Sequence, residues 1–466
     1  MAPMRRFGLS KSRITYGRQC GKRLWLHVHR PALAEYPPET MRRFAAGHDV
    51  GGIARALHPE GVLIGWQDDL ERAVRETARA LERPGDLVLF EAAFRHRGVF
   101  VRADILRRRD GRYRMTEVKS ATRLKEYHLT DVAVQTWVLE GAGVPLAAVN
   151  VAVIDPQWVY PGGEDYRGLF REIPIADQVR PMLAQVPGWV TGFLALLNGP
   201  EPAIATGPQC HKPFDCPFLP YCEGREGRAP ADAAGGGEEA PQAPDPALGR
   251  VDPAASAYLA SLPFPRFYLD FETVQFAIPV WAGTRPFEQL PFQWSCHVET
   301  SPGVVEHADF LDLSGDPPMR AAAEALLARL GDRGPVFVYT DFEKWRLVEL
   351  ATRFPDLAPA IDGVTGRLVD LFRLTRAHYS HPALNGSYSL KTVLPTVDAA
   401  LAHADLDEVR DGLSAQAAFH EAVAPEADAT RREELRRALL DYCALDTLAL
   451  VRLAHHLERR PRAVSV

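Results

Sequence analysis

The sequence from 101 to 120 reads Val101-Arg102-Ala103-Asp104-Ile105-Leu106, then a polar tip, then Tyr113-Arg114-Met115-Thr116-Glu117-Val118-Lys119-Ser120. The tip contains Asp110-Gly111, a pair that is typical of a tight turn between two strands. We therefore expect a β-hairpin in which Asp104 and Glu117 lie side by side on neighbouring strands. Glu117 and Lys119 are two residues apart, so their side chains share one face of the strand.

Two carboxylates and a lysine on one face suit the hydrolysis of a phosphate ester. Carboxylate oxygens are hard ligands for Mg²⁺ or Mn²⁺. Such a metal polarises a phosphate and lowers the pKa of a bound water, and Lys119 would assist that water or steady the developing charge. A surface ion pair on a hairpin is the alternative interpretation of the same residues, since exposed pairs are common.

Bulk composition predicts a globular protein of more than one domain. The chain has 466 residues, of which 46% are hydrophobic and 24% are charged; this length predicts two to three domains. No apolar run approaches the roughly 20 residues of a membrane span. The segment Met1 to Ser10 is basic without an apolar core, so it does not resemble a secretory signal, and we expect a cytoplasmic location.

Composition also divides the chain. Residues 1–225 carry 31 Lys and Arg against 25 Asp and Glu, whereas residues 226–466 carry 23 against 35. The segment 226–253 is rich in Gly, Pro, Ala and Glu without apolar periodicity, which is typical of a flexible linker. We therefore predict domains at 1–225 and 254–466, both of mixed α/β class, since strands and helices follow one another in each.

The cysteines cluster. Three of the six, Cys210, Cys216 and Cys222, fall within one short segment, and Cys20 lies near the start. In a reducing compartment such clustering favours metal or cluster ligation over disulfides. Zinc on the four sulfurs and an iron–sulfur cluster are both open at this point, although the five-residue spacings exceed those usual in zinc sites.

Other residues extend the pattern around the hairpin. Glu91 lies on the strand before it, and Gln135 lies on the helix after it, one turn beyond Asp131. The order Glu91, Asp104, Glu117-x-Lys119, Gln135 resembles the PD-(D/E)XK nuclease superfamily, specifically its RecB-like branch, which includes the CRISPR-associated RecB-like exonucleases. The resemblance covers residues 9–222.

That resemblance implies a restriction-endonuclease-like mixed sheet with helices. Asp104 and Glu117, with Glu91 beside them, would bind Mg²⁺ or Mn²⁺; Lys119 would assist the water and Gln135 would support the site. One early and three late cysteines are the pattern of the iron–sulfur members, which implies a [4Fe–4S] cluster on a ligand set of Cys20, Cys210, Cys216 and Cys222.

The family often adds a metal-binding histidine on an early helix. The stretch Gly47-His48-Asp49-Val50-Gly51 occupies that region here. The family pattern places the histidine near Gly51, so His48 is three residues early, which is close to one helical turn. We therefore include His48 as a candidate ligand, with a surface histidine as the alternative.

A second acidic set occurs late in the chain. Asp270 and Glu272 share one face of a predicted strand, and Tyr442 and Asp446 share one face of a predicted helix. The set is similar to DEDD exonucleases of the DnaQ-like, ribonuclease H-like class, over about 264–457. The resemblance implies two metal ions on Asp270, Glu272, Glu343 and Asp446, with Tyr442 orienting the attacking water. The family has Asp at the place of Glu343, and Asp341 is the alternative candidate for that role.

Together these patterns predict a Mg²⁺- or Mn²⁺-dependent DNA exonuclease with two nuclease domains, acting on single-stranded or duplex DNA ends in repair or phage defence. RNA is the alternative substrate, and no association with a membrane is expected. The sequence does not indicate which proteins the chain binds. Two alternatives stay open. One domain cuts while the other only binds DNA, or the whole chain is a non-catalytic DNA-binding or assembly protein.

Overall fold

The computed structural model describes residues 8–65, 69–226, 248–398, 409 and 411–460. The chain forms two compact units, residues 1–235 with 277–287 and residues 236–276 with 288–466. Both combine sheets with helices, which confirms the α/β class. Most of the predicted linker 226–253 lies outside the described residues, and its end already carries a short strand at Arg250–Val251.

The first unit contains seven strands and eight α-helices among its described residues. The strands are β1 (Leu9–Ser10), β2 (Val62–Leu63), β3 (Leu87–His96), β4 (Val99–Arg109), β5 (Arg112–Lys119), β6 (Leu146–Ile154) and β7 (Phe170–Pro174). The helices are α1 (Lys11–Gln19), α2 (Gly21–His29), α3 (Pro38–Ala56), α4 (Leu70–Leu81), α5 (Glu126–Gly141), α6 (Ala176–Val179), α7 (Val186–Leu197) and α8 (Leu219–Glu226).

The sheet of this unit has the order β2-β3-β4-β5-β6-β7, with β1 joined to β4. Strands β3, β4 and β5 are antiparallel neighbours, and β6 runs parallel to β5. Asp110 (φ 50°) and Gly111 (φ 71°) form the β4–β5 turn in the left-handed region, as a two-residue hairpin of right-handed twist requires. The predicted hairpin is confirmed.

The sequence of 174–198 predicts helical structure, and residues 176–197 are helical, as the short α6, a 3₁₀ segment at Arg180–Gln185 and α7 in succession. Pro181 lies near the start of the 3₁₀ segment and Pro187 in the first turn of α7, where the missing N–H of proline is tolerated. Pro174 lies outside the helical residues, at the end of β7, which pairs antiparallel with β6.

The segment 277–287 belongs to the first unit although its neighbours in sequence belong to the second. The Tyr160 N–H donates to the carbonyl of Thr284 at 2.9 Å, and the Gly283 N–H donates to the carbonyl of Tyr160 at 2.7 Å. The Tyr166 hydroxyl donates to the carbonyl of Pro279 at 3.3 Å. These bonds satisfy polar backbone groups of the segment, as burial in a fold requires.

The second unit also contains seven strands and eight α-helices among its described residues. The strands are β8 (Arg250–Val251), β9 (Arg266–Val274), β10 (Leu290–Ser301), β11 (Val304–Leu311), β12 (Val336–Val338), β13 (Leu368–Asp370) and β14 (Tyr379–Ser380). The helices are α9 (Pro253–Ser261), α10 (Met319–Leu330), α11 (Phe342–Arg353), α12 (Ala358–Thr365), α13 (Leu371–His378), α14 (Leu390–Val397), α15 (Gly412–Ala422) and α16 (Ala429–Glu458).

The main sheet of the second unit has the order β11-β10-β9-β12-β13, antiparallel among the first three strands and parallel from β9 to β13. Helix α16 lies across β9 and β10. The Gln293 side chain donates to the Leu439 carbonyl at 2.7 Å, and the Ser295 and Thr447 hydroxyls are 2.8 Å apart. At the end of α16, Arg460 bonds the buried Glu299 of β10 at 2.6 Å. The helix is therefore fixed along its length, which sets the position of the side chains it presents to β9.

Within the residues that the structure describes, no helix combines the length and the apolar character needed to cross a membrane.

Candidate active sites

The first acidic site begins where strands β4 and β5 part. Their regular pairing ends at Ile105 and Thr116. Beyond that point the Asp104 carboxylate, rather than a backbone carbonyl, accepts the N–H of Val118 at 2.8 Å. Asp104 and Glu117 are therefore neighbours across the opened end of the hairpin. Burial raises the pKa of Asp104 to about 7, and the nearby charge of Glu117 adds to the shift.

Glu117 is buried and held by three donors. Its Oε1 accepts hydrogen bonds from Lys11 Nζ at 2.6 Å and Lys119 Nζ at 2.8 Å. Its Oε2 accepts a hydrogen bond from Gln135 Nε2 at 2.7 Å. Burial alone would raise the pKa of Glu117, but the charges of Lys11 and then Lys119 outweigh it and hold the pKa well below its ordinary value. Glu117 is therefore ionised at neutral pH.

Lys119 also bonds Asp131. Its Nζ lies 2.8 Å from Asp131 Oδ2, and the Thr15 hydroxyl donates to Asp131 Oδ1 at 2.7 Å. The charges of Glu117 and Asp131 raise the pKa of Lys119 against the opposing effect of burial. Lys119 is therefore a protonated bridge between a strand carboxylate and a helix carboxylate.

A cavity of about 460 Å³ opens beside these groups. Its lining includes Lys11, Phe44, His48, Glu91, Asp104 and Glu117. His48 is exposed on α3 at the edge of this cavity. Lys119 and Gln135 do not line it.

Glu91 faces the same cavity in an unusual backbone conformation. It has φ 56° within β3, and its carboxylate pairs with Arg102 at 3.0 Å and Arg55 at 3.6 Å. A non-glycine residue in the left-handed region costs free energy and is often found at functional sites. In the described part of the chain, the ligand atoms of Glu91, Asp104 and Glu117 do not all come within 4.8 Å of one another.

The second acidic site is tighter. Asp270 and Glu272 on β9 and Asp446 on α16 each offer a ligand atom, and these atoms lie within 4.8 Å of one another. Burial raises the pKa of Asp270 to about 8, and the charge of Asp446 adds to the shift. Burial and the charge of Asp270 likewise raise the pKa of Glu272. Carboxylates forced together in this way repel one another, and a divalent cation would relieve the repulsion.

Glu343 and Tyr442 join the same site. Glu343 is buried at the start of α11 and is hydrogen-bonded to Asp270, while Tyr442 is hydrogen-bonded to Asp446. Burial and then the charge of Asp446 raise the pKa of Tyr442, so its hydroxyl stays protonated. Asp341, the alternative to Glu343 from sequence, instead pairs with Arg373 at 2.8 Å.

These five side chains line one cavity of about 660 Å³. The structure therefore brings together all the residues predicted for this site: Asp270, Glu272, Glu343, Tyr442 and Asp446. It adds Asp411 and Lys391 to the lining, and Asp411 caps the N-terminus of α15 by accepting the N–H of Ser414.

Four cysteines converge elsewhere in the first unit. Cys20, which ends α1, lines one small cavity together with Cys210, Cys216 and Cys222. Burial raises the pKa of Cys216 and of Cys222. Within the described residues, no three of the sulfurs come within 4.8 Å of one another. A single zinc ion with bonds of about 2.3 Å would draw tetrahedral sulfurs to about 3.8 Å.

Sequence comparison identifies relatives of part of the chain. Residues 267–389 match the model of a domain of unknown function, DUF2779. The match includes Asp270, Glu272 and Glu343 and ends before Tyr442. A curated relative, described as "Uncharacterized protein MG366 homolog" from Mycoplasma pneumoniae, is 32% identical over 147 residues. That alignment covers 28% of this chain and 22% of the relative's length.

Sequence reasoning missed Lys11 and Asp411 as members of the two sites. Lys11 lies 106 residues from Glu117 in sequence, and the local pattern around it indicates only the start of a helix. Asp411 has a local signal, since Asp three residues before Ser is a common helix N-cap. That signal predicts α15 but says nothing of a nearby carboxylate cluster.

Proposed function

We propose that this protein is a metal-dependent DNA exonuclease with two nuclease domains, one restriction-endonuclease-like and one ribonuclease H-like. Its substrates would be single-stranded or duplex DNA ends, in repair or phage defence. The observation that carries the proposal is the convergence of Asp270, Glu272 and Asp446 within 4.8 Å at the wall of an open cavity.

The second unit supports the proposal because its acidic side chains lie close together around one cavity. Asp270, Glu272, Glu343 and Asp446 are oxygen ligands of the kind that Mg²⁺ and Mn²⁺ take. When bound, such ions would supply Lewis acidity and a more acidic water. Tyr442 would then orient the attacking water, with its hydroxyl held by Asp446. Glu343 would take the ligand position that Asp has in the DEDD exonucleases, because its side chain is hydrogen-bonded to Asp270.

The first unit supports the proposal through Asp104 and Glu117 beside a cavity that Glu91 and His48 also line. Glu117 is ionised, and the hydrogen bond from Gln135 orients its carboxylate. This site differs from the second because lysines already compensate its carboxylates.

The four cysteines support a [4Fe–4S] cluster more than a zinc ion. Their sulfurs share a cavity but are spaced more widely than a single tetrahedral zinc ion allows. Lys22 and Arg23 line the same cavity and would offset the negative charge of thiolate ligands. The cluster would join Cys20 to the segment that contains Cys210, Cys216 and Cys222. Anaerobically purified protein should be brown with a broad visible absorption band, whereas colourless protein with stoichiometric zinc would refute the cluster.

The decisive experiment compares Asp104→Asn, Asp270→Asn and the double variant in the full-length protein. Single-stranded and duplex DNA labelled at the 5′ or the 3′ end would be incubated with Mn²⁺ or with EDTA. We expect Mn²⁺-dependent shortening that each single variant reduces and the double variant abolishes. Cleavage that survives the double variant, or its absence from the wild type in every metal, would refute the proposal. Loss in only one single variant would assign cutting to one unit.

A further inference from the structure

Two lysines meet one carboxylate oxygen in the first site. Lys11 Nζ lies 2.6 Å from Glu117 Oε1, and Lys119 Nζ lies 2.8 Å from the same atom. The family pattern gives the role of assisting the reaction to Lys119. The structure distinguishes the two lysines by what else each one contacts.

Lys119 pairs with two carboxylates and holds them in place. Its ammonium group bonds Asp131 as well as Glu117, and Asp131 is in turn held by Thr15. An ammonium group has three N–H donors, and two of those of Lys119 are directed at acids. Lys119 does not line the cavity beside Asp104.

Lys11 lines that cavity. Glu117 is its one hydrogen-bond partner among the contacts that the described residues provide, so the other two donors of the ammonium group can serve a bound anion. A protonated lysine beside metal-binding carboxylates is suited to a phosphate oxygen, which it meets as a point charge.

The backbone fixes the position of Lys11. The preceding β1 pairs with β4 at Val99 and Phe100, and Leu9 is almost completely buried. Ser10 caps helix α1 by accepting the N–H of Arg13, so Lys11 is the first residue of the helix. The lysine therefore has a rigid support, which precise placement of a substrate-binding group requires.

We propose that Lys11 is the lysine that contacts the scissile phosphate in the first site, and that Lys119 is a positioning residue that orients Glu117. This inference rests on the proposed nuclease function. Lys11 donates hydrogen bonds to a non-bridging phosphate oxygen and forms no covalent bond. Lys119 acts on the substrate only through Glu117.

The test uses full-length Asp270→Asn protein as parent, so that cleavage reports the first site. Lys11→Met, Lys11→Arg and Lys119→Met are made in it, with Arg79→Met as control, since Arg79 is exposed on α4 away from both cavities. Thermal unfolding checks that each variant folds. Affinity for a fluorescein-labelled single-stranded oligonucleotide is measured in Ca²⁺ over a range of salt concentrations, and cleavage is measured with Mn²⁺.

Lys11→Met should flatten the dependence of log affinity on log salt by about 0.7, the value for one lost phosphate contact on a single strand. Its kcat/KM should fall by about 100-fold or more, as for loss of one charge-stabilising donor, and Lys11→Arg should restore the salt dependence. Lys119→Met should keep the parental salt dependence but need more Mn²⁺ for half-maximal cleavage. Arg79→Met should match the parent.

Parental salt dependence in Lys11→Met, or its loss in Lys119→Met, would overturn the inference while the proposed function stands. A parent protein that does not cleave DNA with Mn²⁺ would refute nuclease function at the first site, and the inference with it.

Discussion

Replacing Glu299 by glutamine tests how the end of α16 is held against β10. The Glu299 side chain is 0% exposed; Arg460 lies 2.6 Å and His455 3.1 Å from its Oε1, and the Gly303 N–H donates to it at 2.9 Å. Burial alone would raise the pKa of Glu299, but the hydrogen bonds from His455 and Gly303 and the charge of Arg460 lower the pKa to about 2 from an ordinary value of 4.5. Ionised Glu299 therefore stabilises the folded state.

The magnitude follows from the two pKa values. A carboxylate whose pKa is lower in the folded state gives its full stabilisation above the unfolded-state pKa and loses it as the pH falls through the folded-state pKa. For values of 4.5 and about 2, the contribution is about 3 kcal/mol at pH 7 and about 1 kcal/mol at pH 3. Glu299→Gln should therefore destabilise the second unit strongly at neutral pH and weakly in acid.

Hydrogen exchange of the β10 amides, measured in urea at several pH values, reports the opening of this unit. Glu306→Gln is the matched control, because Glu306 lies on the neighbouring β11, is 59% exposed and pairs with Arg329 at 3.4 Å. An exposed pair contributes less than about 1 kcal/mol. Equal destabilisation by Glu299→Gln at pH 7 and pH 3, or an effect no larger than that of the control, would refute this account of the buried carboxylate.

Three further outcomes are expected. Asp270→Asn should raise the thermal unfolding temperature in EDTA at pH 8, since it removes repulsion among carboxylates, and should reduce the rise on adding Mn²⁺; a lower temperature in EDTA would contradict this. Thr340 has φ 80° just before α11, so Thr340→Gly should increase the free energy of unfolding by about 1 kcal/mol relative to Thr340→Ala, as urea titration would measure. Cys216→Ser should remove visible absorption from anaerobically purified protein, whereas Cys296→Ala should keep it; equal spectra would contradict cluster ligation.

Local sequence signals predicted the parts of the fold that depend on neighbouring residues. Asp110-Gly111 predicts the β4–β5 hairpin because few residue pairs adopt two consecutive left-handed conformations. The spacing of Asp270 and Glu272 predicts their shared face, since a strand alternates its side chains.

Tertiary contacts decided what those signals could not. The helical prediction for 174–198 holds for residues 176–197, but it does not show that Pro174 ends β7, which pairs with the edge of β6. The approach of Lys11 to Glu117 depends on β1 pairing with β4, which no local pattern records. The resemblance to known nucleases indicated the acidic residues of both candidate sites, whereas the phosphate contact that we propose for Lys11 comes from the geometry alone.

The inclusion of residues 277–287 in the first unit determines where the protein can be divided into fragments. A fragment that stops near residue 225 would lack the peptide that bonds Tyr160 and Tyr166, and apolar surface beneath it would be left to solvent. A fragment that begins near residue 254 would carry the same peptide without its binding surface. Neither half is therefore complete when it is expressed alone with these boundaries. Inactivating point mutations in the full-length protein, rather than truncations, should be used to assign an activity to either unit.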